Sequence, residues 1–446
     1  MQTRQEEVSS ISTSLLQLAI TNVLANLTIP LASLSNVAFL GHLNNTYHLS
    51  GVALVLALFD SLFYSCSFLR ASTTGLAAQA IGGDRKHNLY LVLIRNSFLA
   101  LTLGLTILAL KVPLENLGLS FLSTIPEIEA ISHVYFGIRV WAVPATLLNF
   151  VLVGWLLGQG KSDRVLWIIT FINSSKIGLD YTLIIRWNLE SVGAGWSVVI
   201  SQYLMLGIAS IVVGYSLFLQ NFDIKEMRIF DPAEIVSLVK LNGDIFIRSL
   251  AKIAVTLVFT KVGTNLGAQI LAENALLLEV IVLTMFIIEG IGYAIETLAG
   301  LFEGKEKIED FFPELRLAFA ISFLISAGIG VLVWQLPQQV FGLLTDHQEL
   351  LQDIGQYTPW LAIVLCCNSI ASTQESYFLG RAKGNVVRNT SLLSTFIGFL
   401  PVSIVALVLQ DSRILWLAMI VLAIVQIIMF AVQFNLDRLQ DSEPLL

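Results

Sequence analysis

Charge is scarce in this chain. Asp, Glu, Lys and Arg make up 13% of its 446 residues, about half the share in an ordinary soluble domain, which excludes a large water-exposed globular surface. Cysteine is scarcer still. Cys66, Cys366 and Cys367 lie in apolar runs, and their spacing fits neither a disulfide framework nor a CxxC pair. The histidines His42, His48, His87, His133 and His347 are scattered near loops and helix ends. The chain has no HExxH, no GxSxG and no paired His/Asp arrangement on one helix, so an intramembrane enzyme lacks its usual signatures. A net charge of -7 is spread over loops and tails, and no basic stripe alternates with aromatics, which argues against nucleic-acid binding. Residues 1–11, MQTRQEEVSSI, are too acidic for the basic start of a cleavable signal. The first apolar span is therefore expected to be retained, and no cofactor or metal is expected.

What the chain does have is apolar length. Hydrophobic residues make up 56% of it, and the mean hydropathy is +0.78. At about 20 residues per membrane-crossing helix, this length accommodates about twelve spans and leaves no room for a large soluble domain. Apolar windows predict helices near 12–40, 50–80, 88–112, 128–157, 165–187 and 192–219, then near 234–262, 271–302, 313–335, 352–379, 387–409 and 413–436. The fold class is an all-α polytopic membrane protein with twelve transmembrane helices. Its domains are expected to be a six-helix lobe over 1–219, a cytoplasmic linker over 220–232, a second six-helix lobe over 233–438 and a cytoplasmic tail over 439–446.

Alternate loops carry Arg85 and Lys86, Lys161 and Arg164, Lys225 and Arg228, Lys305 and Lys307, then Arg381, Lys383 and Arg388. The opposite loops offer only Lys111, Arg186 and Arg413. By the positive-inside rule both termini are expected in the cytoplasm of a cell-membrane protein. The two sets of helices also repeat. LAAQAIGGDR at 76–85 aligns with LAGLFEGKEK at 298–307, and WLLGQGKSD at 155–163 aligns with YFLGRAKGN at 377–385, both at an offset of 222 residues. Six spans per repeat give the halves one orientation, as in parallel-repeat transporters.

Ionisable groups at bilayer depth are costly and are functional by default. Lys176 and Asp180 sit four residues apart in the fifth span and so face the same way. At about 1.5 Å of rise per residue, Asn36, Asp60 and Asp180 all fall in the outer half of the bilayer. These three and Lys176 form the candidate cation-coupling and substrate cavity of the first half, with Asn173 as a further candidate one turn away. Pro30 lies mid-span in the first helix, where a missing backbone donor creates a kink. In the second half the candidates are Lys252, Glu289, Glu296 and Glu375. Glu289 and Glu296 share a face, Lys252 is deep enough to pair with one of the glutamates, and Glu273, near the outer end of the eighth span, is expected to be solvated. Arg70, in FLRASTTGLAAQA at 68–80, reads as part of a small-residue packing motif.

The runs IPLASLSNVAFLGHL at 29–43, FLRASTTGLAAQA, WLLGQGK, NGDIFIRSL at 242–250, ILAENALLL at 270–278 and YFLGRAKG at 377–384 together resemble the multidrug and toxic-compound extrusion (MATE) family, and most of all its DinF-like branch. The resemblance implies two six-helix bundles arranged as a V, alternating access, and export of small organic compounds driven by protons or sodium. It also implies a cation site built from an aspartate in the first helix with an asparagine and an aspartate in the fifth, and a first helix that bends at a proline. Pro30 and Asp180 match. Asn36 stands where the first-helix aspartate is expected, Lys176 where the fifth-helix asparagine is expected, and Glu375 where an aspartate is usual. An ammonium at 176 repels a bound cation, so protons are favoured over sodium as the coupling ion. The expected partners are a small organic substrate, the coupling ion and the bilayer, with the chain acting as a monomer. A lipid-linked oligosaccharide flippase of related architecture is the alternative. A channel lacks a filter-like signature.

Overall fold

The computed structural model describes residues 2–43, 45–120, 125–219, 229–345 and 348–442. Residues 220–228 of the expected linker, with Lys225 and Arg228, and residues 443–446 of the expected tail lie outside them. Among the described residues there is no strand, and twelve long helices follow one another. They are α1 (Gln2–Gly41), α2 (Tyr47–Gly82), α3 (Lys86–Ala109), α4 (Pro126–Gly158), α5 (Ser162–Arg186), α6 (Glu190–Leu219), α7 (Pro232–Leu266), α8 (Ala268–Gly304), α9 (Ile308–Gln335), α10 (Thr358–Gly380), α11 (Gly384–Leu409) and α12 (Ser412–Ser442). With water absent from the bilayer core, a helix is the local structure that satisfies every backbone group of such apolar runs.

Ten of these helices are long and apolar enough to cross a membrane by length and composition. The other two, α7 and α10, are long enough at 35 and 23 residues. Their polarity has an identifiable source: α7 carries Lys240, Asp244, Arg248, Lys252 and Lys261, and α10 carries Asn368, Ser369, Ser372, Thr373, Gln374, Glu375 and Ser376. These two helices meet at a buried ion cluster described below.

The chain divides into two compact units, one of residues 24–239 with 303–306 and the other of 1–23, 240–302 and 307–446. The division cuts within α1 and α7 and at the last turn of α8. In the second unit Phe259, Leu277, Leu361, Val364, Phe399 and Trp416 are buried together. Trp416 donates its indole N–H to Asn274 Oδ1 at 2.9 Å and meets Phe259 edge-on. That indole is buried without leaving its polar atom unpaired.

The repeat is visible in how the helices cross. A Cβ added at Gly158 of α4 would lie 2.6 Å from the Thr74 carbonyl and 2.7 Å from Ala77 Cβ of α2. At the position 222 residues on, a Cβ at Gly380 of α10 would lie 2.4 Å from the Glu296 carbonyl and 3.0 Å from Ala299 Cβ of α8. Both halves use a missing side chain to bring two backbones together, the usual device where lipid tails offer no hydrophobic drive. One turn earlier the small residue changes sides. Gly154 of α4 faces the Arg70 carbonyl, whereas Gly292 of α8 faces Ser376 Oγ of α10.

Candidate functional site

Three helices of the first unit converge on Asp180, the last residue of the regular turns of α5. From Tyr181 to Arg186 the helix widens into a π turn, with the Trp187 N–H reaching the Thr182 carbonyl at 2.9 Å, a distortion common at functional sites. Gly193 of α6 lets that helix approach, because a Cβ there would lie 2.8 Å from the Leu183 carbonyl group. One turn further along α6, Ser197 then donates its hydroxyl to Asp180 Oδ1.

The other carboxylate oxygen is held from two sides. Lys176 Nζ donates to Asp180 Oδ2 at 2.7 Å and to the Ala32 carbonyl of α1 at 3.2 Å. Ser35 Oγ of α1 lies 2.9 Å from both Asp180 Oδ2 and the Ala32 carbonyl, and its single proton serves one of them at a time. One turn back, Asn173 Nδ2 donates to Thr28 Oγ1 at 2.7 Å. The residues 28, 32 and 35 on α1 and 173, 176 and 180 on α5 thus form a polar ladder between two parallel helices, each set at helical spacing. Asp180 is fully buried and the Lys176 side chain is 14% exposed. An ionised pair taken this far from water depends on further hydrogen bonds to its remaining lone pairs and protons, and here the two serines and the Ala32 carbonyl supply such bonds.

Of the predicted first-half residues, the structure brings Lys176, Asp180 and Asn173 to one helix interface. Asp60 is not part of it. Its side chain is 72% exposed, and its partner is Arg139 of α4, Nη2 to Oδ1 at 3.6 Å. Arg139 is buried, donates Nη1 to the Tyr135 hydroxyl at 2.9 Å and covers the Phe59 ring at 5.0 Å. Tyr135 is itself fully buried, so its hydroxyl meets Arg139 away from water. Asn36 is buried, yet its Oδ1 accepts no hydrogen bond among the described residues. The α1 side chain that reaches Asp180 is its neighbour Ser35. Pro30 stands inside α1, which is continuous through it, and cannot donate to the Asn26 carbonyl four residues earlier.

In the second unit Glu375 of α10 accepts from two bases of α7, Arg248 Nε and Lys252 Nζ, the latter at 2.7 Å. One buried carboxylate therefore serves two cations one helical turn apart. Close to this cluster along α7, Asp244 accepts from Arg388 Nη1 at 2.5 Å. Glu296 is buried at the α8–α10 crossing and Glu289 is half-buried. Glu273, expected to be solvated, is buried instead and accepts from Gln269 at 3.1 Å. Position near a helix end does not expose a side chain that neighbouring helices cover.

Sequence reasoning missed Arg139, Ser35 and Ser197. The isolated arginine in YFGIRVWAVP was the available signal for the first. Hydroxyl side chains that usually bond to their own helix give no such signal. The turn after α4 is a plain helix connection: Lys161 bonds to Gln159 and Ser216 at 2.6 and 3.3 Å. Burial, aided by Arg164 and opposed by Asp163, holds its ammonium pKa below the ordinary value.

The MatE family model matches the chain twice, at residues 22–182 and 245–405. The two matches cover well over half of the chain and start 223 residues apart, close to the repeat offset read from the motifs. The chain is 28% identical over 414 residues to the DNA damage-inducible protein F of Escherichia coli (strain K12), covering 93% of this chain and 90% of that one. It is 23% identical over 369 residues to the probable multidrug resistance protein NorM of Halalkalibacterium halodurans, covering 79% and 78%. Its fold matches a structure described as the outward-facing conformation of a multidrug resistance MATE family transporter, with a TM-score of 0.85, 18% identity, and coverage of 97% and 96%. This chain is a multi-pass membrane protein that belongs to the MatE family, a family of transporters rather than enzymes.

Proposed function

We propose that this chain exports small organic compounds by alternating access, in exchange for protons, with Asp180 as the coupling carboxylate. One observation carries the reading: a single fully buried acid ties α5 to α1 and α6 through Lys176, Ser35 and Ser197. Protonating Asp180 removes its charge. The Lys176 ammonium is then left with neutral acceptors only, the Ala32 carbonyl among them, and a buried cation deprived of its counter-ion is costly. That cost pushes α1 and α5 towards another arrangement, and Pro30 supplies α1 with a point at which to bend. In the empty state Lys176 takes the place that a bound metal cation would need. This supports protons over sodium as the coupling ion.

The names of the relatives, a multidrug resistance protein among them, support export of organic compounds as the class of transport. We further read the chain as two six-helix lobes joined over 220–232, with both termini in the cytoplasm, on the loop distribution of Lys and Arg. Exporters of this kind move substrate against its gradient, so the test is transport from sealed vesicles. Efflux from proteoliposomes is expected to follow an imposed pH gradient and to be abolished in Asp180→Asn. Efflux that requires sodium and ignores pH would reject the proposal.

A further inference from the structure

A second feature lies apart from both ion clusters, in the second unit. Phe312, Phe319, Tyr377, Phe378, Phe430 and Phe434 line a cavity of about 240 Å³ between α9, α10 and α12. Phe434 packs on Phe312 at 5.1 Å and on Tyr377 at 5.5 Å, and Phe378 stacks on Phe430 at 5.4 Å. Arg316 and Arg438 complete the lining. The cavity is smaller than the pockets of about 300–1,000 Å³ that hold drug-sized ligands, and six rings suit a slender apolar chain.

Arg316 and Arg438 are exposed residues, and no carboxylate among the described residues pairs with either. The acid beside Arg438 is already engaged: Asp437 is buried and accepts from Arg381 at 2.9 Å and Lys383 at 2.5 Å. Glu314, two residues before Arg316, is fully buried, and its carboxylate oxygens meet no hydrogen-bond partner among the described residues. Arg438 Cζ lies 5.6 Å over the Phe312 ring, so the positive charge sits directly beside the apolar cavity.

Depth and surroundings indicate what reaches this place. Arg438 ends the apolar span of α12, Ser412–Arg438, and Arg316 lies eight residues after the start of Ile308–Gln335, about 12 Å along the helix. Both lie in the end portions of their spans, on the side where Asp437, next to Arg438, meets Arg381 and Lys383. Beside the cavity, Ile428, Val432 and Leu436 of α12 and Phe323 and Leu324 of α9 are exposed apolar residues within spans, as on a lipid-facing surface.

We propose that this cavity holds one anionic phospholipid, with an acyl-chain segment among the rings and the phosphate on Arg316 and Arg438. An uncharged cavity would take any acyl chain, and a surface arginine pair would take any anion. The two together select a molecule with both parts, and the bilayer supplies it.

The test is native mass spectrometry of the full-length protein in detergent, titrated with phosphatidylglycerol, phosphatidylcholine or inorganic phosphate. One phosphatidylglycerol per chain is expected to be retained. The double variant Arg316→Gln/Arg438→Gln is expected to bind it about thirtyfold more weakly, the loss anticipated for two basic side chains near an anionic surface. Ala431→Phe, which fills the cavity and keeps both arginines, is expected to lose the same lipid. Equal retention of phosphatidylglycerol and phosphatidylcholine by the unaltered protein, or undiminished retention by either monodisperse variant, would overturn the proposal. Displacement of the lipid by inorganic phosphate would do so too, since the site would then be one for free phosphate.

Discussion

Asp180 and Lys176 are each the other's condition for being buried. Removing one leaves an uncompensated charge, which costs roughly 3–5 kcal/mol, whereas removing both is close to neutral. Asp180→Asn is therefore expected to lower the thermal unfolding temperature in detergent, and Lys176→Gln added to it is expected to restore most of the loss. A double variant no more stable than the single one would show that the pair does not act as a unit. The same logic applies at Glu375. Glu375→Gln deprives Arg248 and Lys252 of the carboxylate they share, and its cost in the same measurement is expected to be of similar size. At this scale the sequence revealed the costly groups but not all of their partners. Lys176 and Asp180 could be paired because four residues on one helix fix a common direction. Asp60 and Arg139 lie on different helices, and helix rotation, which decides whether they meet, is not encoded in a single hydropathy profile. Ser35 and Ser197 were illegible for a simpler reason, since a serine in a membrane helix is ordinary and its role appears only once a neighbour is placed beside it.

At the scale of elements, close backbone approach and helix interruption carry the design. Gly380→Val places a branched side chain where even a Cβ would lie 2.4 Å from the Glu296 carbonyl, so α10 and α8 must separate. Its unfolding temperature is expected to fall well below that of Gly207→Ala, where an added Cβ meets nothing within 4 Å and the alanine is favoured in a helix by about 0.5–1 kcal/mol. Comparable melting of the two variants would contradict the crossing described above. Pro30→Ala restores a backbone donor within α1. On the proposed mechanism it leaves the protein folded but slows efflux severalfold, and an unchanged rate would mean that the proline is a static feature. The helices themselves were readable from apolar runs, including α7 and α10, because length and flanking polar turns survive even where charges interrupt the run. The irregular turn at Tyr181–Arg186 was not readable. A π turn adds one residue to a helical cycle without changing the composition that hydropathy measures.

For the whole molecule, the internal repeat was the most informative sequence signal. Paired motifs at one offset, the recurrence of Gly158 and Gly380 at matched crossings, and two matches of one family model all describe the same duplication. The ion clusters do not follow it: the first half holds Lys176 and Asp180 on α5, the second holds Glu375 on α10 with Arg248 and Lys252 on α7. On the proposed mechanism the two halves share one scaffold but not one task, the first titrating at Asp180 and the second bracing. The most direct measurement is substrate efflux from proteoliposomes with pH and sodium gradients imposed separately, for the unaltered protein and for Asp180→Asn. The account predicts efflux driven by an acidic exterior, little response to sodium, and at least a tenfold loss in Asp180→Asn. Efflux that depends on sodium but not on pH, or that continues at full rate in Asp180→Asn, would contradict it.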